Sequence, residues 1–272
     1  MQPVTKPQKN NNGRIPIIPR QTKTRMTIIV LVVVLLYAIA AFFTKAYPNR
    51  IITGFPHVID FVKDDLFPPN WSYYKTVSTR LLETWNMALL STTLATLFCL
   101  PFAFLMASNI NTNKYVYSIV RFGMNVLRTI PELILALILV AVVGLGPLSG
   151  VGALFLFSLG ILAKLLSESI ESIDKGPLEA IRASGGNVFQ VIRYGAMPQI
   201  LPHFTSYSLY VLEINVRASV VLGFVGAGGI GQILRQQLNL FRFDNVATII
   251  IMTFIAVTII DMISTRIRER LV

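Results

Sequence analysis

What this 272-residue chain lacks narrows its chemistry before any motif is read. It holds one cysteine, Cys99, so neither a disulfide framework nor a thiolate metal site is available. Its two histidines, His57 and His203, are too few and too far apart to suggest a metal site. No Ser/His/Asp set, paired carboxylates or zinc-ligand spacing stands out, so no catalytic residue, metal or cofactor is expected. Gly-x-x-x-x-Gly-Lys-Ser/Thr is also absent, so the chain is not expected to hydrolyse ATP. Charge is scarce at 14% of residues, and acids are outnumbered, 13 against 24 Lys and Arg. No repeat of solenoid or propeller period is visible.

What is present is apolar sequence. Hydrophobic residues make up 54% of the chain. Several runs approach the ~20 residues that cross a ~30 Å hydrocarbon layer. In a soluble chain a net charge of +11 would suggest nucleic acid; in a membrane chain it orients the spans, and no nucleic-acid partner is expected. Residues 1–25 carry Lys6, Lys9, Arg14, Arg20, Lys23 and Arg25 without an acid, which predicts a disordered cytoplasmic tail. Residues 26–43 form the first span; the run is long for a signal-peptide core and no small-residue cleavage site follows. Residues 44–75 read as an extracytoplasmic linker, with Trp71, Tyr73 and Tyr74 suited to the membrane interface, and residues 76–272 as the transport core. Further spans are expected at 81–107, with a kink at Pro101, and at 133–143, 151–166, 199–222 and 246–263. Between them, Tyr115, Ile119, Phe122, Val126 and Leu127 fit one side of a short interfacial helix. This topology places sixteen basic residues inside, seven outside and Arg217 within a span, so both termini are expected in the cytoplasm.

Gly176–Pro202 is a polar island between apolar segments, overlapping an expected cytoplasmic loop at 167–198. Gly176 can end a preceding helix and Pro177 open the next, with Glu179 in its first turn facing the positive end of the helix dipole. Gly185 and Gly186 interrupt, and Val188, Val191 and Ile192 continue at helical spacing. The pattern predicts a short helix, a glycine bend and a second short helix.

Glu179-Ala180-Ile181, then Gly185, then Met197-Pro198 resembles the EAA loop of permease subunits of bacterial ABC importers. Ile181 stands for the second Ala of that pattern, Gly195 for its Ile and Met197 for its Leu. The run from Tyr194 to Pro202 is similar to the phosphonate-transporter permease branch, and Arg128-Thr-Ile-Pro-Glu132 resembles that family's Arg-x-Ile-Pro signature. The resemblance covers about Tyr74 to Val272. It implies an all-α integral membrane protein of about six transmembrane helices, with the type I ABC importer permease (MetI-like) fold. Further implied are ATPase-coupling residues Glu179, Ala180, Arg182, Gly185 and Pro198, and a bacterial plasma (inner) membrane location. The implied partners are an ABC ATPase subunit, an extracytoplasmic substrate-binding protein, a second permease copy and the lipid membrane around them, with no nucleic acid.

Glu213 and Arg217 stand four apart on the expected fifth span and can pair. A charge at mid-membrane costs about 2.5–3.5 kcal/mol on insertion scales, so these two must face a partner, a cavity or an interface. With Tyr210 and Asn215 they are candidates for a translocation pathway, Arg217 accommodating an oxyanion; mutual neutralisation between helices is the competing reading. Gly226-Ala-Gly-Gly-Ile-Gly231 matches a dinucleotide fingerprint literally, but a membrane helix precedes it where a strand is required. The run resembles a turn of methionine and phosphonate permeases, where Gly226, Gly228, Gly229 and Gly231 would pack tightly near the outer mouth as gate glycines. The resemblance implies import of phosphonate or a related phosphorus oxyanion by alternating access. Alternatives are a permease for another solute such as methionine, or an ion-coupled secondary carrier using Glu213 as a proton relay.

Overall fold

The computed structural model describes residues 20–45 and 48–269, and all the regular structure there is helical. The tail residues Lys6, Lys9 and Arg14 lie outside that range, as does Arg270. Two compact units divide at residue 62. In the first, α1 (Arg20–Thr44) is apolar and exposed on every side, from Ile28 through Leu35 to Phe43. The second helix, α2 (Pro48–Asp60), occupies much of the stretch expected to be a linker. Prolines and scattered charges suggested a loop there, but Phe55, Val58 and Ile59 recur at helical spacing and give it an apolar side.

The second unit carries the remaining helices: α3 (Tyr74–Leu105), α4 (Lys114–Thr129), α5 (Glu132–Val143), α6 (Pro147–Ser172), α7 (Lys175–Ala183), α8 (Val188–Gln190), α9 (Met197–Leu222), α10 (Ile230–Asn239) and α11 (Phe243–Glu269). Five helical segments of the described chain are long and apolar enough to cross a membrane: 22–44, 71–105, 147–172, 188–225 and 243–269. A sixth exists only if α4 and α5, bent by 91°, count as one broken span. The expected span at 133–143 is α5, whose 12 residues reach about 18 Å, short of a crossing. Its break is local chemistry. Ile130 is extended, as a residue before proline prefers, Pro131 caps α5, and Glu132 lies in the first turn. On the other side of the bend, α4 presents Tyr115, Ile119, Phe122 and Val126 outward, while Val120, Met124 and Leu127 pack on the core.

The core is built on close helix approach. Ala88, Ser91, Thr92, Ala95, Cys99 and Ala103 line the buried side of α3, and Gly150, Ala153, Ser158, Gly160 and Ala163 line α6. Lipid tails are as apolar as leucine, so packing of small residues substitutes for a hydrophobic driving force between the helices. Pro101 sits inside α3 without ending it.

Candidate functional site

The loop between α6 and α9 is held by side-chain caps. Asp174 accepts from Gly176 N at 3.0 Å and starts α7 at Lys175. Gly176 and Pro177 therefore lie inside the first turn, not before it, and Glu179 falls in the next turn. The aspartate captures the helix start two residues ahead of the proline. At the other end Gly185 (φ +80°) closes α7. Its N–H donates to Arg182 O at 3.0 Å and that of Gly186 donates to Ile181 O at 2.9 Å, a Schellman ending. Asn187 and Gln190 then form a reciprocal capping box that opens α8. A π-helical turn over Val191–Ala196 leads into α9, with Pro198 in its first turn, where no N–H is needed.

This bend is anchored from below. Leu178, Val191 and Ala196 are buried in the same core as Ile170 and Ile200. Glu179, Ala180, Arg182, Gly185 and Pro198 are all exposed. Ala180 and Gly185 line a shallow hollow with Ser184, Gln190 and Tyr194. Around it Val188, Phe189 and Tyr194 are uncovered, Phe189 at 82%. Phe189 and Tyr194 are absent from the sequence-based site, although aromatic residues in a polar island were the available signal. Arg182 turns back on its own chain: Nη2 donates to Asn109 O at 2.8 Å. Asn109 Nδ2 in turn donates to Ile170 O at 2.5 Å. Glu171 accepts from Ser108 N at 3.0 Å and pairs with Arg121 at 3.4 Å. The loop is thus tied to α6 and, through the α3–α4 connection, to α4.

Glu213 and Arg217 do pair along α9, and the structure adds two residues of α11 to them. Arg268 Nη2 donates to the second Glu213 oxygen at 3.0 Å, and Asp261 Oδ2 lies 3.8 Å from Arg217 Nη1. The Arg268 guanidinium sits 6.0 Å from the centre of the Tyr210 ring. Asn215 does not join them. It is fully buried on another face of α9, donating to Thr92 Oγ1 at 2.8 Å and Ser158 Oγ at 2.7 Å, and so binds α3, α6 and α9 together. Shared membership of one span grouped Asn215 with Arg217, although a separation of two residues on a helix is about 200° and already puts them on opposite sides.

The glycine run is a sharp turn between α9 and α10. Gly226, Gly228 and Gly229 have φ of +88°, +84° and +72°, which side chains of L-residues rarely adopt. A methyl group on Gly231 would lie 1.8 Å from Val220 O. Two neighbouring residues of α3 complete the turn. Glu83 Oε1 accepts from Gly229 N at 3.1 Å and Thr84 Oγ1 from Ile230 N at 2.8 Å, while Glu83 Oε2 pairs with Arg80 at 2.5 Å. Gly146 N donates to Gly226 O at 2.9 Å. The far end of α10 is pinned through Gln237, Asn245 and Asn70, each contact at 2.9 Å. Glu83 and Thr84 lie about 14 Å along α3 from its start. By the same rise, Glu213 lies about 14 Å along α9 from the helix end that enters the turn.

Residues 99–272 match the family described as binding-protein-dependent transport system inner membrane component. The chain belongs to that family. This inner-membrane component is 37% identical over 237 residues to the putative phosphite transport system permease protein HtxC of Stutzerimonas stutzeri, covering 87% of this chain and 84% of the relative. It is 37% identical over 221 residues to the phosphite transport system permease protein PtxC of the same organism, covering 81% and 80%. The inward-facing structure of the MetNI methionine ABC transporter superposes with a TM-score of 0.67 at 25% identity, over 75% of this chain and 99% of that one. The component is thus the permease of an ABC importer, with the MetI-like fold and ATP hydrolysis on a separate chain. The ion-coupled carrier falls with that assignment.

Proposed function

We propose that this permease imports a phosphorus oxyanion, as one of two identical copies, with α9 facing the pathway. The observation that carries the reading is Arg217: its side chain is 51% exposed although it lies within a membrane-spanning segment. A guanidinium left uncovered by its own chain must face water or another subunit. The printed names of the two phosphite permeases support the same substrate class. In this reading the exposed α7–α8 surface, with Tyr194 lining the hollow and Phe189 uncovered on α8, docks the ATPase. A binding protein delivers substrate on the outer side, and both termini are cytoplasmic. Nucleotide-driven movement of the loop would then tilt the helices anchored to it. The test is uptake of radiolabelled phosphite and phosphate into proteoliposomes holding the permease, its ATPase and its binding protein. Arg217→Gln should abolish uptake in an assembled complex. Undiminished uptake refutes the assignment of α9, and uptake of methionine in place of either oxyanion refutes the substrate class.

A further inference from the structure

The four charges on α9 and α11 alternate in one chain: Asp261, Arg217, Glu213, Arg268. They sum to zero, but their bonds are unequal. Glu213 is 14% exposed and uses both carboxylate oxygens, one on each arginine. Asp261 is 34% exposed and 3.8 Å from Arg217, beyond hydrogen-bond reach. Arg217 is therefore anchored at Nη2 by Glu213 and only loosely neutralised at Nη1. Its remaining donors form the planar fork that grips an oxyanion through two oxygens.

We propose that Asp261 is an exchangeable counter-ion for Arg217, and that the transported oxyanion binds by replacing it. The inference rests on the reading that α9 faces the pathway. A second anion added beside an intact neutral chain would leave its negative charge uncompensated. Withdrawal of Asp261 removes one negative charge as the substrate brings its own, so the local balance is kept. Glu213 and Arg268 stay in place, with Glu213 the positioning residue that aims the Arg217 fork. The same competition keeps binding weak, which suits a site that substrate must leave as well as enter.

The experiment is equilibrium binding of radiolabelled inorganic phosphate to the permease–ATPase complex in nanodiscs, without binding protein and at fixed salt. Asp261→Asn removes the competitor and keeps the shape, so phosphate should bind about three- to tenfold more tightly than to wild type. Arg217→Gln should abolish binding, as should Arg217→Gln with Asp261→Asn, a neutral pair that guards against misfolding caused by a lone charge. Phosphate binding to Asp261→Asn that is equal to or weaker than wild type, or undetectable to 10 mM (roughly the ceiling for a useful site), overturns the exchange. If Arg217→Gln binds phosphate like wild type, the assignment of α9 to the pathway is wrong as well. If only Arg217→Gln behaves as expected, the pathway stands and Asp261 is a static partner.

Discussion

Replacement of Gly231 by alanine isolates what the glycine turn requires. The new methyl carbon would sit 1.8 Å from Val220 O and 3.0 Å from Gly223 Cα. Both are backbone atoms, so no side-chain rotation relieves the contact, and α10 must separate from the end of α9. That shift is resisted at both ends, by Glu83 and Thr84 below and by Gln237 and Asn245 above. Overpacking ordinarily costs about 1–3 kcal/mol; with two pinned helices the upper end applies, about 3 kcal/mol. For a chain of this size that lowers the midpoint of thermal unfolding by about 6–12 °C. Gly123→Ala is the internal contrast: on α4 nothing lies within 4 Å of its added carbon. Alanine is the better helix former there by up to about 1 kcal/mol, so stability should hold or rise. Cys99 supplies the assay, since it is the sole cysteine and fully buried. Heating the purified protein with a thiol-reactive fluorophore reports unfolding as the Cys99 side chain becomes accessible. A Gly231→Ala protein that melts with wild type would refute the close-packing account.

Three further outcomes follow from particular contacts. Asn215→Ala strips partners from Thr92 and Ser158 and should cost about 1–2 kcal/mol in the same thermal assay, with no change in substrate selectivity in uptake competition. Glu83→Gln keeps an acceptor for Gly229 N and should retain most of the stability, whereas Glu83→Ala leaves that N–H uncapped and should cost about 1–3 kcal/mol. Arg182→Ala cuts the loop from Asn109; substrate moved per ATP hydrolysed should fall about two- to fourfold, a change of under ~1 kcal/mol in coupling, while the ATPase still co-purifies.

How much of this was legible depended on whether the determining contact was local. Gly185 and Gly186 announce a helix ending because a left-handed turn is a property of the residue itself, and Pro131 announces the break between α4 and α5 for the same reason. Glu213 and Arg217 were visible because their separation on one helix fixes their proximity. Asp174 was passed over in favour of Pro177, since both are helix-start signals and only the fold shows which one engages. Asp261 and Arg268 were out of reach, because nothing in their own neighbourhood states that α11 runs beside Glu213. Glu83 and Thr84 were hidden likewise: they lie 146 residues before the turn they complete.

The same distinction bears on what the two polar regions do. A glycine can serve as a hinge or as a place where backbones touch, and a sequence cannot separate these. At Gly231, Gly223 and Gly150 an added carbon would meet backbone within 2.5 Å, which is contact rather than freedom. At Gly185 nothing lies within 4 Å, and the positive φ alone demands glycine. Bulk at Gly185 should therefore be tolerated where the left-handed conformation is, so asparagine should outperform valine there. If valine at Gly185 supports uptake as well as asparagine does, the backbone conformation of the bend is not what holds the loop in shape.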